Sequence, residues 1–293
     1  MNFSMKQVAI LIIVLFISCG NKESIKTKEQ LTEYNYKKGI MKKTYFADFN
    51  FRGDFEIIFN GLSIKRNSSD GVSNGLEYLN PFIEKSGKQT ITLLLKPASG
   101  KILPSEIKDY YIDIVYTDNG ESSPIHKVMR CSFPQSDKAV ESLMDTWTFD
   151  AEVPFDISTL SDAKDLKDEK PEELLKAVVS EYEKVSSFIN SGNITEYMNL
   201  YKKSREREMI SMYYDDTKKK EYLSSLQQRA SSSKGFMQLL SEYKLLIHPN
   251  NKVVSLTNSQ GKSPLFSKDK EGKIKTYGLQ LYRSKTTGKL EVY

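Results

Sequence analysis

The spacing of apolar residues changes twice along this chain, and this change limits the possible folds more than any other feature. Over residues 44–155 apolar residues alternate with polar ones, as in Phe55, Ile57 and Phe59, which is typical of strands buried on one face. After Pro171 apolar residues recur three or four positions apart, and later the alternation returns. The order predicts a mainly β region followed by an α+β region.

Turn residues separate the strand patterns of the first region. Asn60-Gly61 lies between two apolar runs, and both residues accept positive φ, so the pair predicts a tight hairpin. The segment 66–75 is rich in Ser, Asn and Gly and predicts a loop, and residues 118–120 predict another turn. Short strands separated by turns predict an antiparallel β-sandwich over residues 44–155.

Residues 54–97 carry a pattern that resembles galactose-binding-like jelly-roll modules, which accompany glycoside hydrolases. A strand, Asn60-Gly61, a short strand and a polar loop come before LNPFIEKSGKQTITLLL, in which Gln89 stands where Asn is usual. The pattern encodes turns and core positions. The resemblance therefore implies a jelly-roll fold more than a ligand, and a generic sandwich is the alternative.

The stretch 156–171 is charged, lacks aromatic residues and separates the alternating pattern from the helical one, so it predicts a linker. Gly192 is typical of a helix C-cap, and further helices are expected over 195–213, 217–229 and 236–240. Strand patterns broken by turn residues follow, so residues 172–293 predict an α+β domain with helices followed by an antiparallel β-meander. The first helix is predicted from one apolar face, made by Leu175, Val178, Tyr182, Val185 and Ile189.

The start of the chain resembles a bacterial lipoprotein signal. Lys6 precedes an apolar run, 8–17, which is shorter than the roughly 20 residues that span a bilayer, and Ser18-Cys19 follows it. In lipoproteins the leader is cut before the cysteine, whose sulfur carries a diacylglyceryl group. The resemblance implies a signal peptide over 1–18, a lipid on Cys19 and a membrane address. No Asp follows the cysteine, which favours the outer membrane; an unmodified cysteine in an N-terminal helix is the alternative.

The excess positive charge precedes the predicted folded part. Residues 20–43 carry seven Lys and three Glu, and Lys6 adds one charge. Since the net charge is +5, residues 44–293 sum to zero. A nucleic-acid-binding protein would carry a basic patch on its folded part, so nucleic acid is not expected as a partner. Residues 19–43 are expected to form a flexible, lipidated basic tether beside anionic head groups.

Few residues suit catalysis or metal binding. The two histidines, His126 and His248, lack the paired spacing of a zinc site, and the chain has no GxSxG, Walker or GxGxxG motif. Cys131 follows a strand-like run and is expected in the core, because a free cysteine packs as a small apolar residue. We therefore expect no metal and no cofactor.

Two pairs of carboxylates could serve a glycosidase, which needs only two such groups. Asp150 and Glu152 share one face of a strand, where a solvent-exposed face is the ordinary interpretation. Asp215-Asp216 lies between helices, where a helix cap is the ordinary interpretation. Neither pair is favoured as catalytic.

Two functions are open at this point. The favoured one is a non-catalytic binding module at the cell envelope, with a protein or glycan ligand; an immunity or inhibitor protein is one version. The other is a carboxylate-dependent glycan hydrolase or its accessory subunit, so enzyme activity is undecided. Tyrosine is common at binding surfaces. The candidate binding residues are Tyr213, Tyr214, Tyr277 and Tyr282.

Overall fold

The structure is a computed structural model that describes residues 34–97, 100–118 and 124–293. The lipoprotein signal, Cys19 and the first part of the predicted tether lie outside the described residues. No helix among the described residues is long and apolar enough to cross a membrane.

Long antiparallel strands form the N-terminal region. The elements are β1 (Lys43–Phe59), β2 (Leu62–Tyr78), β3 (Lys85–Lys96), a short helix α1 (Pro104–Ile107), β4 (Tyr111–Asp118), β5 (Ile125–Ser132) and β6 (Leu143–Asp156). β1 pairs with β2 along one edge. Along its other edge β1 pairs first with β4 and then with β3, and β5 and β6 extend these two sets of strands.

The β1–β2 ribbon folds back on itself. Lys65 Nζ lies 2.9 Å from Glu77 Oε2, although twelve positions of straight strand would span roughly 40 Å. The bend falls where the pairing register shifts, between Arg52 and Asp54. The curl brings the two sets of strands around one apolar core, which fits the expected β-sandwich. The core includes Tyr45, Phe49, Phe51, Phe55, Ile57, Phe59, Ile91, Leu93, Ile112, Ile114, Phe149 and Phe155.

The hairpin at Asn60-Gly61 is confirmed, because both residues have positive φ, 50° and 74°. The loop predicted over 66–75 is wrong: this segment is the middle of β2. Its composition favours turns, but the neighbouring β1 backbone pairs with it along most of its length, and such pairing overrides local propensity.

Four helices and six short strands form the C-terminal region. They are α2 (Pro171–Ser191), α3 (Ile194–Leu200), α4 (Lys202–Ser211), α5 (Asp216–Ser231), β7 (Lys244–Ile247), β8 (Val253–Thr257), β9 (Phe266–Lys268), β10 (Ile274–Thr276), β11 (Leu281–Arg283) and β12 (Leu290–Val292). One antiparallel sheet has the order β12-β11-β8-β7, and β9 and β10 pair with each other. The predicted order of helices followed by an antiparallel meander is confirmed.

The predicted face of α2 packs on the sheet, with Leu174 buried where Leu175 was expected. Gly192 ends the helix with φ 78° as predicted. The single helix expected over 195–213 is two helices that part at Tyr201, whose buried hydroxyl donates to Gly278 O. No helix forms over 236–240, where Met237 instead makes a strand-like bridge to Ser267.

The segment predicted as a linker packs against the C-terminal sheet. Leu166 is buried and its N–H donates to Asn251 O at 2.7 Å, while Lys164 N–H donates to Arg283 O at 2.8 Å. Residues 34–293 cluster as one compact unit. The division into two domains stays a prediction. The segment between them is bonded to the C-terminal region at Lys164 and Leu166. A small apolar cluster lies beside it: Leu62, Ala163, Val253, Tyr282 and Tyr293.

The part of the predicted tether that the structure describes also packs against the folded region. Tyr34 and Tyr36 pack against the sandwich core, and the Tyr36 hydroxyl donates to Ile210 O at 2.9 Å. Lys43 already belongs to β1. A flexible tether is therefore a prediction for the residues before Tyr34, which lie outside the described part of the chain.

Candidate functional site

A groove of about 380 Å³ opens where the β1–β2 hairpin meets the C-terminal sheet. We call it the junction groove. Its lining residues are Asn60, Leu62, Phe82, Glu84, Lys85, Ser86, Lys88, Gln89, Leu160, Asn250, Lys252 and Tyr293.

The tip of the hairpin contacts the turn at Asn250. Asn250 N–H donates to Gly61 O at 3.0 Å. A Cβ atom on Gly61 would lie 2.7 Å from Asn250 Cβ and 2.9 Å from its backbone nitrogen, closer than real atoms approach. Glycine is therefore required at this position by the positive φ and again by the close approach of the two turns.

Two amide side chains build one wall of the groove. Asn60 Oδ1 accepts from Thr90 N–H, and Asn60 Nδ2 donates to Gln89 Oε1 at 2.8 Å. Gln89 Nε2 donates to Gly87 O at 2.9 Å. Both side chains are occupied by these bonds, so the amide at position 89 fixes the wall of the groove.

Two buried donors on the lining of the groove have no hydrogen-bond partner among the described residues. Asn250 Oδ1 accepts from Lys252 and Val253 N–H, but its Nδ2 is unpartnered. The Tyr293 side chain is 4% exposed and its hydroxyl is unpartnered. Burial raises the pKa of Tyr293 to about 12, so the hydroxyl keeps its proton at neutral pH. An unpaired buried polar group costs roughly 1–3 kcal/mol, which a ligand that accepts from it would offset.

Charged groups stand around these donors. Glu84 Oε1 accepts from Leu160 N–H at 2.8 Å, and burial raises the pKa of this carboxyl. Lys252 Nζ donates to Leu160 O at 3.0 Å. The Arg207 guanidinium stacks on the Tyr293 ring at 3.5 Å from its centre. The groove thus combines fixed donors, one carboxyl group and nearby cations, a set that suits binding of a polar ligand.

His248 and Ser255 form a buried pair that resembles the start of a nucleophilic site. His248 Nε2 lies 3.3 Å from Ser255 Oγ, and both side chains are buried. However, His248 Nδ1 accepts from Ser63 N–H at 3.0 Å, so the single proton of the neutral ring resides on Nε2. The ring therefore donates toward the serine and cannot take its proton. Through the bond from Ser63, His248 joins β2 to the β7–β8 turn.

Three of the four predicted binding tyrosines lie in the interior. Tyr213, Tyr277 and Tyr282 are less than 10% exposed, and their hydroxyls donate to Lys43 O, Ser233 Oγ and Glu291 Oε2. The expected exposed recognition surface is therefore not formed by these three. Tyr214 is partly exposed and packs edge-on against Tyr222. Partner binding by these tyrosines stays a prediction.

The carboxylate pairs have the ordinary roles expected for them. Asp150 and Glu152 are exposed on β6, and Glu152 pairs with Lys43 at 2.6 Å. Asp215 Oδ1 accepts from Lys218 N–H and so caps α5.

The cysteine and the other histidine also lie away from the junction groove. Cys131 is buried as expected, and burial raises the pKa of its thiol to about 12, which leaves it unreactive at neutral pH. His126 stacks on Tyr116 at the sandwich surface. The described residues hold no group of three or more His, Cys, Asp or Glu side chains that could ligate a metal.

Comparison with known proteins finds no matching family model, curated protein or solved structure. The functional argument therefore rests on the geometry of the junction groove. Asn60-Gly61 was predicted as a hairpin turn, and Pro249-Asn250-Asn251 consists of turn residues, but no signal in either segment indicates that the two meet. Glu84, Asn250 and Tyr293 were missed as site residues for that reason.

Proposed function

We propose that this protein is a non-catalytic binding module at the cell envelope and that the junction groove is its ligand site. The observation that carries the proposal is that two residues lining one groove, Asn250 and Tyr293, each have a buried donor without a partner among the described residues, Nδ2 and Oη. Groups of this kind lose free energy without a partner and regain it when a ligand accepts from them. The ligand is a glycan or a protein segment.

A lipid on Cys19 would hold the module at the membrane, with the outer membrane favoured. The support is the leader that ends in Ser18-Cys19, together with the Lys-rich segment after it. Two or three acyl chains give firm anchoring, since each buried CH₂ adds roughly 0.8 kcal/mol. We expect Cys19→Ala to lose lipid labelling and to leave the membrane fraction or keep its leader. Unchanged labelling and fractionation of the variant would overturn the anchor.

Blocking the groove tests the ligand site. Lys88 is exposed at the rim of the groove, and Lys96 is exposed on the same strand, β3, outside it. The wild-type chain is screened against labelled envelope glycans and envelope proteins. We expect Lys88→Trp to reduce capture of any bound ligand at least about tenfold, and Lys96→Trp to leave it unchanged. Equal capture by both variants would show that the ligand binds elsewhere.

The glycan hydrolase has one observation in its favour. Glu84 lies in the groove with a raised pKa, as a general acid would. A hydrolase would release shortened glycan, and Glu84→Gln would abolish the release while the glycan still binds. A binding module returns the glycan intact from both proteins. Product formation by the wild type that Glu84→Gln abolishes would therefore replace the binding module with the enzyme.

A further inference from the structure

The polar groups of the junction groove limit the chemical class of its ligand. Two residues that line it, Asn250 and Tyr293, each have a buried atom, Nδ2 and Oη, that can donate a hydrogen bond and has no partner among the described residues. The acceptor of Asn250, its Oδ1, is already used by Lys252 and Val253 N–H. A ligand must therefore bring acceptor oxygens to this part of the groove.

The charges of the groove favour anionic acceptors. The side chains on its lining include three ammonium groups, from Lys85, Lys88 and Lys252, against one carboxyl, from Glu84. Arg207 adds a further cation against the ring of Tyr293, and its Nε finds no partner within the described part of the chain. Glu84 opposes an anion, but its charge is offset by Arg207 and Lys252, which both act on its pKa in the lowering direction. The side-chain charges around the groove therefore sum to a positive net charge.

We infer that the junction groove binds an anionic group, a carboxylate or a phosphate, on a ligand whose apolar part packs against Phe82 and Leu160. The inference rests on the proposed function and specifies its ligand class. Charge-assisted hydrogen bonds from a tyrosine hydroxyl and an amide, with ammonium groups at the rim, are strong in a partly buried site. A neutral sugar would leave the excess positive charge unmatched.

The experiment uses thermal melting of the whole protein at pH 7 with sodium phosphate, sodium acetate or sodium chloride at one constant ionic strength. Tyr293→Phe removes the donor and keeps the ring. Tyr277→Phe is the matched control, because that residue is equally buried, 4% exposed, but its hydroxyl bonds to Ser233 Oγ away from the groove. Phosphate also stabilises proteins in general, and the comparison of variants removes that effect.

We expect phosphate, acetate or both to raise the Tm of the wild type by about 3 °C relative to chloride. Tyr277→Phe should keep this rise although its own Tm is lower. Tyr293→Phe should lose the rise although its Tm in chloride is equal to or above that of the wild type. A purely structural role for the Tyr293 hydroxyl predicts a lower Tm in chloride instead. The rise in phosphate against that in acetate identifies which anion the groove accepts.

N-acetylglucosamine, which is neutral, serves as the second probe. If it raises the Tm in a Tyr293-dependent way and neither anion does, the groove binds ligands but the inference of an anionic group is wrong. If no probe shifts the Tm more in the wild type than in Tyr293→Phe, the inference is overturned, and the capture assay with Lys88→Trp decides separately on the groove as a ligand site.

Discussion

Gly61 lies at the contact between the N-terminal sandwich and the C-terminal region. Its φ of 74° favours glycine over any residue with a side chain, and Asn250 leaves no room for a Cβ atom. Gly288 also has a positive φ, 69°, but open space around it. The two glycines therefore separate the cost of backbone strain from the cost of the contact between the turns.

We predict that Gly61→Ala destabilises the protein much more than Gly288→Ala. Backbone strain alone costs roughly 1–2 kcal/mol, which Gly288→Ala should show. Gly61→Ala should lose about 3 kcal/mol or more, because the hairpin must also move away from Asn250. Urea unfolding measures both losses, and equal losses would mean that the two turns do not meet as described.

His248 predicts a pH dependence of stability. Burial, and secondly the charge of Arg66, lower its pKa from 6.5 to about 4. Between these values the unfolded chain binds a proton that the folded protein does not, so stability rises with pH through this range. The contribution is fully present above about pH 6.5 and is lost as the pH falls toward 4, by roughly 3 kcal/mol.

His248→Asn isolates this contribution, because its Oδ1, placed like the Nδ1 of histidine, can still accept from Ser63 N–H. We predict that the free energy of unfolding of the variant falls less steeply than that of the wild type between pH 6.5 and 4. Carboxylates titrate in both proteins, so the difference between the two curves is the measurement. Parallel curves would show that His248 does not titrate differently in the two states.

At the level of elements, the sequence predicted what depends on local pattern. The face of α2, the hairpin at Asn60-Gly61 and the order of strands, helices and strands follow from spacing and turn chemistry. The loop expected over 66–75 failed because β1 supplies pairing partners from a distance. The junction groove was not predicted, because it forms between segments that local pattern does not connect.

The contact between α2 and the C-terminal sheet centres on one hydroxyl. Tyr182 is fully buried, its hydroxyl donates to Leu279 O at 2.6 Å, and it accepts from Leu256 N–H at 2.9 Å. We predict that Tyr182→Phe costs about 2 kcal/mol, because both backbone groups stay buried without this partner. Tyr214→Phe, at a partly exposed residue, should cost less than about 0.5 kcal/mol. Calorimetry compares the two, and a small loss at Tyr182 would contradict the bridge.

Across the whole molecule, the zero net charge of residues 44–293 conceals opposite charges. Residues 44–171 carry 14 Lys and Arg against 21 Asp and Glu, and residues 172–293 carry 21 against 14. At physiological salt, attraction between exposed charges that lie more than about 8 Å apart is largely screened. The junction therefore depends mainly on its direct contacts, namely the apolar cluster around Leu62 and Val253 and the hydrogen bonds of the turns.

These contacts predict that both parts unfold together. Trp147, the only tryptophan, lies on β6 and packs edge-on against Phe133, so its fluorescence reports on the sandwich. The described helices longer than four residues, α2 to α5, lie in the C-terminal region, so circular dichroism at 222 nm reports mainly on that region.

We predict one urea midpoint for both signals, because the packed segment after β6 and the Gly61–Asn250 contact transmit the loss of either part to the other. In Gly61→Ala the contact is weakened, and the two midpoints should separate while each signal keeps a cooperative transition. Separate midpoints in the wild type would instead establish two independent domains, with residues 156–171 as the linker that the sequence predicted. Coincident midpoints in Gly61→Ala would place the coupling in the apolar cluster and the packed segment rather than in the contact between the turns.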